Sequence, residues 1–198
     1  MRLSISFLMT KRTVIFGGSF DPIHVGHMAL AREVCLRGLA DEVWFMVSPQ
    51  NPHKQGRVMT DEAIRLRMVQ LAIGDNPMFK ACDFEFSLPR PSYTIKTLEV
   101  LEQQFPDREF RLLIGADNWE KFDRWYKGDE ILGRYGVIIY PRGGEDAPQL
   151  PDNAVWMPAC LYNVSSTEVR EAVASGKSIA GLVPSGVERF IIEKGLYR

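Results

Sequence analysis

The stretch Thr13-Val14-Ile15-Phe16-Gly17-Gly18-Ser19-Phe20-Asp21-Pro22-Ile23-His24-Val25-Gly26-His27 decides how the rest of the chain is read. Residues 13–18 form a short apolar run ending in two glycines, the pattern of a buried strand. Glycines at a strand end let the backbone turn sharply and let a ligand come close to it. Asp21-Pro22 sets a turn. From about His27 the apolar positions Leu30, Ala31, Val34 and Cys35 then follow helical spacing. His24 and His27 stand three residues apart at that helix start, so both rings can lie on one side of the turn. The helix N-terminus adds partial positive charge and N–H donors. Such a loop suits an anion, above all a polyphosphate; the plainer alternative is a tight turn with two surface histidines. The chain has 3 histidines, and two of them share this loop.

Outward from this loop, strand and helix alternate. Residues 42–48 (EVWFMVS) repeat the buried-strand pattern. A helix is expected from about Asp61, with Ile64, Met68, Leu71 and Ala72 on one face and Gly74 just past its end. Residues 79–86 read as a weaker strand, and Ser92 as the cap of a helix with the stripe Ile95, Leu98, Leu101 and Phe105. Residues 111–116 read as a strand, 119–132 as mostly helix and 136–140 as a further strand. A Pro- and Gly-rich loop over 141–151 precedes a short strand near Val155 and two terminal helices, from about Ser166 and Val187. Regular exchange of this kind predicts a Rossmann-like, doubly wound α/β fold: a mostly parallel sheet with helices on both faces. We expect one domain over 13–198 behind a short N-terminal extension, 1–12. Ligands of such sheets bind at the carboxyl ends of the strands, so the loops there carry the chemistry.

The 198 residues are 45% apolar and 25% charged, with 24 basic against 25 acidic side chains and a net charge of −1. That balance excludes disorder and a broad basic face for nucleic acid, while leaving room for a small positive pocket. No run approaches the roughly 20 apolar residues of a membrane-spanning helix. The 3 cysteines, Cys35, Cys82 and Cys160, lie far apart without a C-x-x-C pair, so the chain reads as cytoplasmic with reduced thiols and no metal site. Ser165-Ser166-Thr167-x-x-Arg170 can hold phosphate, its hydroxyls and N–H groups at a helix start and its arginine one turn on. Gly176-Lys177-Ser178 is not a P-loop, because Glu171 stands where that motif needs glycine.

The 17–27 segment closely resembles the signature of the nucleotidyltransferase superfamily with an H-x-G-H motif, and within it the bacterial nicotinate mononucleotide adenylyltransferases. Asn51-Pro52-His53-Lys54, Pro91-Ser92-Tyr93-Thr94, Gly115-Ala116-Asp117 and Ser165-Ser166-Thr167-Glu168-Val169-Arg170 match in the same order, as do Leu182-Val183-Pro184 and Gly195-Leu196-Tyr197. Lys96 departs from the pattern, and so does the glycine-free stretch 88–90. The resemblance implies adenylyl transfer between ATP and nicotinate mononucleotide, with Mg²⁺ accompanying ATP. The mononucleotide's phosphate is already a nucleophile, so catalysis requires positioning and charge stabilisation rather than a covalent intermediate.

On that basis His24 and His27 are expected on ATP phosphates, with the backbone of Gly17, Gly18, Ser19 and Phe20 close to the substrates. Lys54 and Arg170 are expected as exposed cations on polyphosphate, beside Ser165, Ser166 and Thr167. Asp117 is expected to end the fourth strand, accepting from ribose or organising Mg²⁺, with helix capping as the alternative. The mononucleotide is expected against Gly18, Ser19, Lys54, Thr94, Asp117, Trp125 and Tyr126. Trp125 either stacks on the pyridine or packs in the core, since Phe122 and Trp125 fit one helical face. A pantetheine-phosphate adenylyltransferase, a non-catalytic nucleotide-binding regulator and a metal protein built on His24, His27 and His53 are the competing readings.

Overall fold

The computed structural model describes residues 10–49, 59–89, 92–141, 147–158 and 164–198. Lys54, His53 and Cys160 lie outside the described residues. Strand β1 (Lys11–Gly18) leads into helix α1 (Val25–Leu36), β2 (Glu42–Val47), α2 (Glu62–Ile73) and β3 (Phe79–Cys82). Then come α3 (Thr94–Gln104), β4 (Arg108–Gly115), the single turn α4 (Ala116–Trp119), α5 (Gly128–Arg134), β5 (Val137–Tyr140), β6 (Ala154–Trp156), α6 (Ser166–Ala174) and α7 (Ser185–Lys194).

The six strands form one sheet in the order β3-β2-β1-β4-β5-β6, with every pairing parallel. This is the doubly wound order expected from the alternation, and its switch point lies between β1 and β4. The central strands β1, β2, β4 and β5 send alternate side chains to two buried cores, one on each face of the sheet. Val14 and Phe16 face the core beneath α1, α2 and α7, together with Val34, Met68 and Val187. Ile15 faces the other core, with Leu98 of α3 and Ile131 of α5. No helix among the described residues is long and apolar enough to cross a membrane. Cys35 and Cys82 are free thiols.

Four expectations need correction. The strand over 79–86 stops at Cys82 and passes into a 3₁₀ turn, Phe84–Ser87. Helix α3 is capped by Tyr93 instead of Ser92, and with no side-chain hydrogen bond. Strand β4 begins at Arg108 because its leading residues pair with Lys11 and Arg12, lengthening both central strands. The helix over 119–132 is three pieces: α4, a 3₁₀ turn at Phe122–Arg124 and α5. Lys127 lies in the left-handed region at φ 57, and a Cβ on Gly128 would sit 2.8 Å from the Phe122 carbonyl oxygen. The chain therefore turns a corner where the apolar spacing alone reads as continuous helix.

Glu42 anchors the far edge of the sheet, away from the strand C-termini. Its carboxylate is buried and accepts from Thr13 Oγ1 at 2.8 Å, Lys11 Nζ at 2.6 Å and Arg108 Nε at 3.0 Å. Burial pushes its pKa up, but the hydrogen bonds from Lys11, Thr13 and Arg108 outweigh it and hold the group below the usual carboxylate range. A depressed folded pKa contributes stability above the ordinary value near ~4.3, lost as pH falls through the lowered one. Glu42→Gln is therefore expected to cost roughly 1–3 kcal/mol at neutral pH, and to flatten the acid limb of a stability–pH curve measured by urea unfolding.

Candidate active site

The site begins at Gly17, in a strand with a neighbour on each side. Gly17 is exposed, and among the described residues a Cβ built on it would meet nothing but its chain neighbours within 4 Å. In a sheet covered on both faces, an exposed position of this kind marks an open crevice at the carboxyl edge. Gly18 is glycine for another reason: a Cβ there would lie 3.0 Å from the Phe20 ring. Phe20 takes φ 47, unusual for a bulky residue, and buries its ring edge-on to Phe16 (5.6 Å) and Phe45 (5.7 Å). Its ring thus belongs to the core, and only its backbone lies beside the crevice.

His24 is the N-cap of α1 and is buried; His27, one turn in, is half-buried. The His24 backbone N–H donates to His27 Nδ1 at 3.2 Å. An accepting Nδ1 places the ring proton on Nε2. The two imidazoles stack with centroids 3.6 Å apart, and the Phe20 ring meets His27 edge-on at 5.1 Å. Gly26 makes this packing possible, because a Cβ there would lie 3.1 Å from the His24 ring and 3.3 Å from Val164. Both histidines are thus oriented by their surroundings.

The loop between Ser19 and His24 is held by residues distant in sequence. Ser166 Oγ donates to the Pro22 carbonyl at 2.8 Å, and Arg170 donates to the Asp21 carbonyl at 2.7 Å and to Thr167 Oγ1 at 2.9 Å. Ser165 caps α6 by accepting from the Glu168 N–H at 3.1 Å. Tyr197 O–H donates to the buried Asp21 carboxylate at 2.7 Å; burial pushes that phenol well above its usual range, so it stays a donor. The serine–threonine–arginine segment therefore meets the glycine loop, as a common site requires. Arg170 is nevertheless part-buried and braces the loop, which corrects the expectation of a freely exposed cation whose loss would spare the fold.

Asp117 lies inside the first turn of α4, because β4 ends at Gly115; it is neither the strand's last residue nor a cap. Since β4 neighbours β1, Asp117 follows the strand on the other side of the switch point. Thr94 opens α3, and the preceding Tyr93 ring lies 4.7 Å from Tyr126, bringing together the two segments expected to read the mononucleotide. Tyr126 is exposed. Trp125 follows a 3₁₀ turn in extended conformation and rests partly buried against Phe122 at 5.3 Å, so the shared helical face is absent. Lys96 pairs with Glu99 at 2.8 Å on the outer face of α3. Sequence reasoning missed two supports, Arg65 and Glu85, and quoted Tyr197 in the closing segment without giving it a role. Burial pushes the Glu85 carboxyl up, and it accepts from Thr97 Oγ1 at 3.0 Å, tying the turn after β3 to α3. Arg65 sits within an apolar stripe, and its company of buried neighbours was the available signal.

The chain belongs to the cytidylyltransferase-like family, which matches residues 15–172. It is 48% identical over 185 residues to a probable nicotinate-nucleotide adenylyltransferase of Bacteroides fragilis, covering 92% of each chain. It is 39% identical over 187 residues to the nicotinate-nucleotide adenylyltransferase of Bacillus subtilis, covering 94% of this chain and 98% of that one. A crystal structure from Vibrio parahaemolyticus, described as a candidate nicotinate-nucleotide adenylyltransferase, superposes with a TM-score of 0.68 at 26% identity, over 95% and 96% of the two chains.

The open space over Gly17 generates a test. Gly17→Val adds a Cβ that has no described atom beyond the chain neighbours within 4 Å, so unfolding free energy should stay within about 0.5 kcal/mol of wild type. Calorimetric titration should show ATP affinity falling by about ten-fold or more if that space is the ligand crevice.

Proposed function

We propose that this chain is the enzyme that joins ATP and nicotinate mononucleotide into nicotinate adenine dinucleotide and pyrophosphate, a step of NAD biosynthesis. The observation that carries the reading is the meeting of the glycine loop, the two oriented histidines and the α6 start beside an open crevice, in a chain of this family. A phosphate oxygen of the mononucleotide attacks the α-phosphorus of ATP, a new P–O bond forms, the bond to the β-phosphate's bridging oxygen breaks, and pyrophosphate departs with that electron pair. Charge grows on the α-phosphate and on the leaving group. Fixed donors answer it without reorganising at the moment of reaction.

His27, with its proton on Nε2, donates to the α-phosphate, and His24 supports it and the adjacent phosphates. Gly17, Gly18, Ser19 and the Phe20 backbone line the substrates' path. Ser165, Ser166, Thr167 and Arg170 place the α6 start at the triphosphate, and Lys54 adds a mobile point charge. Asp117 accepts from ribose or helps to organise Mg²⁺. Mg²⁺ accompanying ATP would be held by phosphate oxygens together with the Asp117 carboxylate, the oxygen donors such a hard cation takes. Bound there, the cation offsets negative charge on the phosphates. Thr94, Trp125 and Tyr126 form the pyridine end, where N–H donors favour a carboxylate and clash with an amide's NH₂. ATP and free thiols both fit a cytoplasmic protein.

Pyrophosphate release with ATP and Mg²⁺ tests the proposal. Nicotinate mononucleotide should be preferred over the nicotinamide form by at least about 10²-fold in kcat/KM, and phosphopantetheine should be inert. Equal use of both mononucleotides overturns the assignment. His27→Ala should lower kcat by roughly 10²-fold or more, the scale for removing one preorganised donor.

Trp125→Ala separates the two readings of that ring. Stacking on a pyridinium contributes roughly 0.5–2 kcal/mol, so the mononucleotide KM should rise while the ATP KM stays put. A parallel rise in both, with a lower melting temperature, would make Trp125 a packing residue.

A further inference from the structure

Helix α2 carries a cation where an apolar helix face should have none. Arg65 has no exposed surface at all and shares the buried face of its helix with Met68 and Val69. Its Nη1 donates to the Ser19 carbonyl at 2.6 Å and to the Ser48 carbonyl at 2.9 Å, and its Nε donates to the Thr60 carbonyl at 2.8 Å. Those three oxygens belong to three separate segments. Ser19 follows β1, Ser48 follows β2, and Thr60 precedes α2; Ser48 and Thr60 flank the stretch that contains His53 and Lys54.

We propose that Arg65 is the positioning residue of this active site, a single guanidinium that fixes the glycine loop against both roots of the Lys54 segment. The inference rests on the adenylyl-transfer reading of the site. Burying a charge carries a large desolvation penalty, so a purely apolar residue would serve packing better. The guanidinium does what an apolar side chain cannot. The Ser19 carbonyl turned toward Arg65 sends the following Phe20 N–H the opposite way across a planar peptide. It also holds Phe20 in its left-handed conformation, φ 47, which a bulky L-residue rarely adopts. Burial lowers the Arg65 pKa while Asp21 and Glu62 raise it, so acidic groups face the cation from the loop it holds and from its own helix. Lysine keeps the charge but lacks the planar fork that reaches three divergent acceptors.

The experiment compares wild type, Arg65→Lys, Arg65→Gln and the exposed control Arg67→Gln in pyrophosphate release, melting and ¹H–¹⁵N spectra. Displacing a loop by about 1 Å can cost about 10²-fold in rate. Folded Arg65→Lys should therefore lose about 10²-fold in kcat while the mononucleotide KM moves less than about three-fold. The amide resonances of Ser19 and Phe20 should shift while those of β4 and β5 stay, a readout that needs no turnover. A folded Arg65→Lys with kcat within about three-fold of wild type, or unmoved Ser19 and Phe20 resonances, overturns the proposal. So does failure of both Arg65 variants to fold, because the residue is then structural only. An inactive wild type whose Arg65→Lys variant still shifts those amides refutes the reaction assigned above and leaves the clamp standing.

Discussion

Past the end of β1 the chain carries the carbonyls of Ser19, Asp21 and Pro22 into the protein with no strand to bond them. Buried acceptors must find donors, and here each finds a side chain: Arg65 from α2, Arg170 and Ser166 from α6. Peptide planarity then fixes where the intervening N–H groups point. The loop's outward chemistry is thus decided from beneath, by residues that lie 46 to 149 positions away. A rigid sheet places the loop's ends, and these three donors place its middle.

The arrangement is costly in isolation. It buries one guanidinium completely and holds one phenylalanine in a left-handed conformation. Packing of the Phe20 ring against Phe16 and Phe45 offsets part of that, as burying a large apolar side chain is worth roughly 1.5–3 kcal/mol. What remains is spent before any substrate arrives, and that timing matters for phosphoryl-type chemistry. Donors already oriented need not reorganise as charge develops, and this is where enzymes of this kind gain most of their rate.

Much of the frame was legible in the sequence because it follows from short-range periodicity. Apolar runs marked β1, which ends in two glycines, and β2. The Asp61 cap and Gly74 stop marked α2, whose Asp61 side chain accepts from the Ala63 N–H and whose Gly74 takes φ 53. The corner at Lys127 was not legible, because it depends on Gly128 lying against the Phe122 carbonyl, a contact between pieces that share an apolar rhythm. Tyr93 stands at the cap in place of Ser92, with no side-chain hydrogen bond there, so capping chemistry does not mark this helix start. In the site, glycines and histidines announced themselves by type and spacing. Arg65 was hinted at only by its place among apolar helix positions, and Tyr197 only by its place in the closing segment. Their roles depend on partners brought together by the fold, Ser19 and Ser48 for one and Asp21 for the other.

The three glycines of the 17–26 segment show how little residue type alone says about reason. At Gly17 the missing side chain leaves space outside the protein; at Gly18 it leaves space filled by Phe20; at Gly26 it leaves space filled by His24. The last two act in series on one imidazole. Gly18 admits the Phe20 ring, whose edge meets His27, and Gly26 admits the His24 ring, whose face stacks on His27. His27 is therefore oriented through its faces, its edge and Nδ1, and the tautomer that results puts the proton on Nε2. A histidine fixed only by a hydrogen bond could pivot about it; one fixed by packing on two sides as well cannot. Backbone strain at Phe20, the clamp on Ser19 and the gap at Gly26 are successive parts of one constraint, and its product is the direction of a single N–H bond.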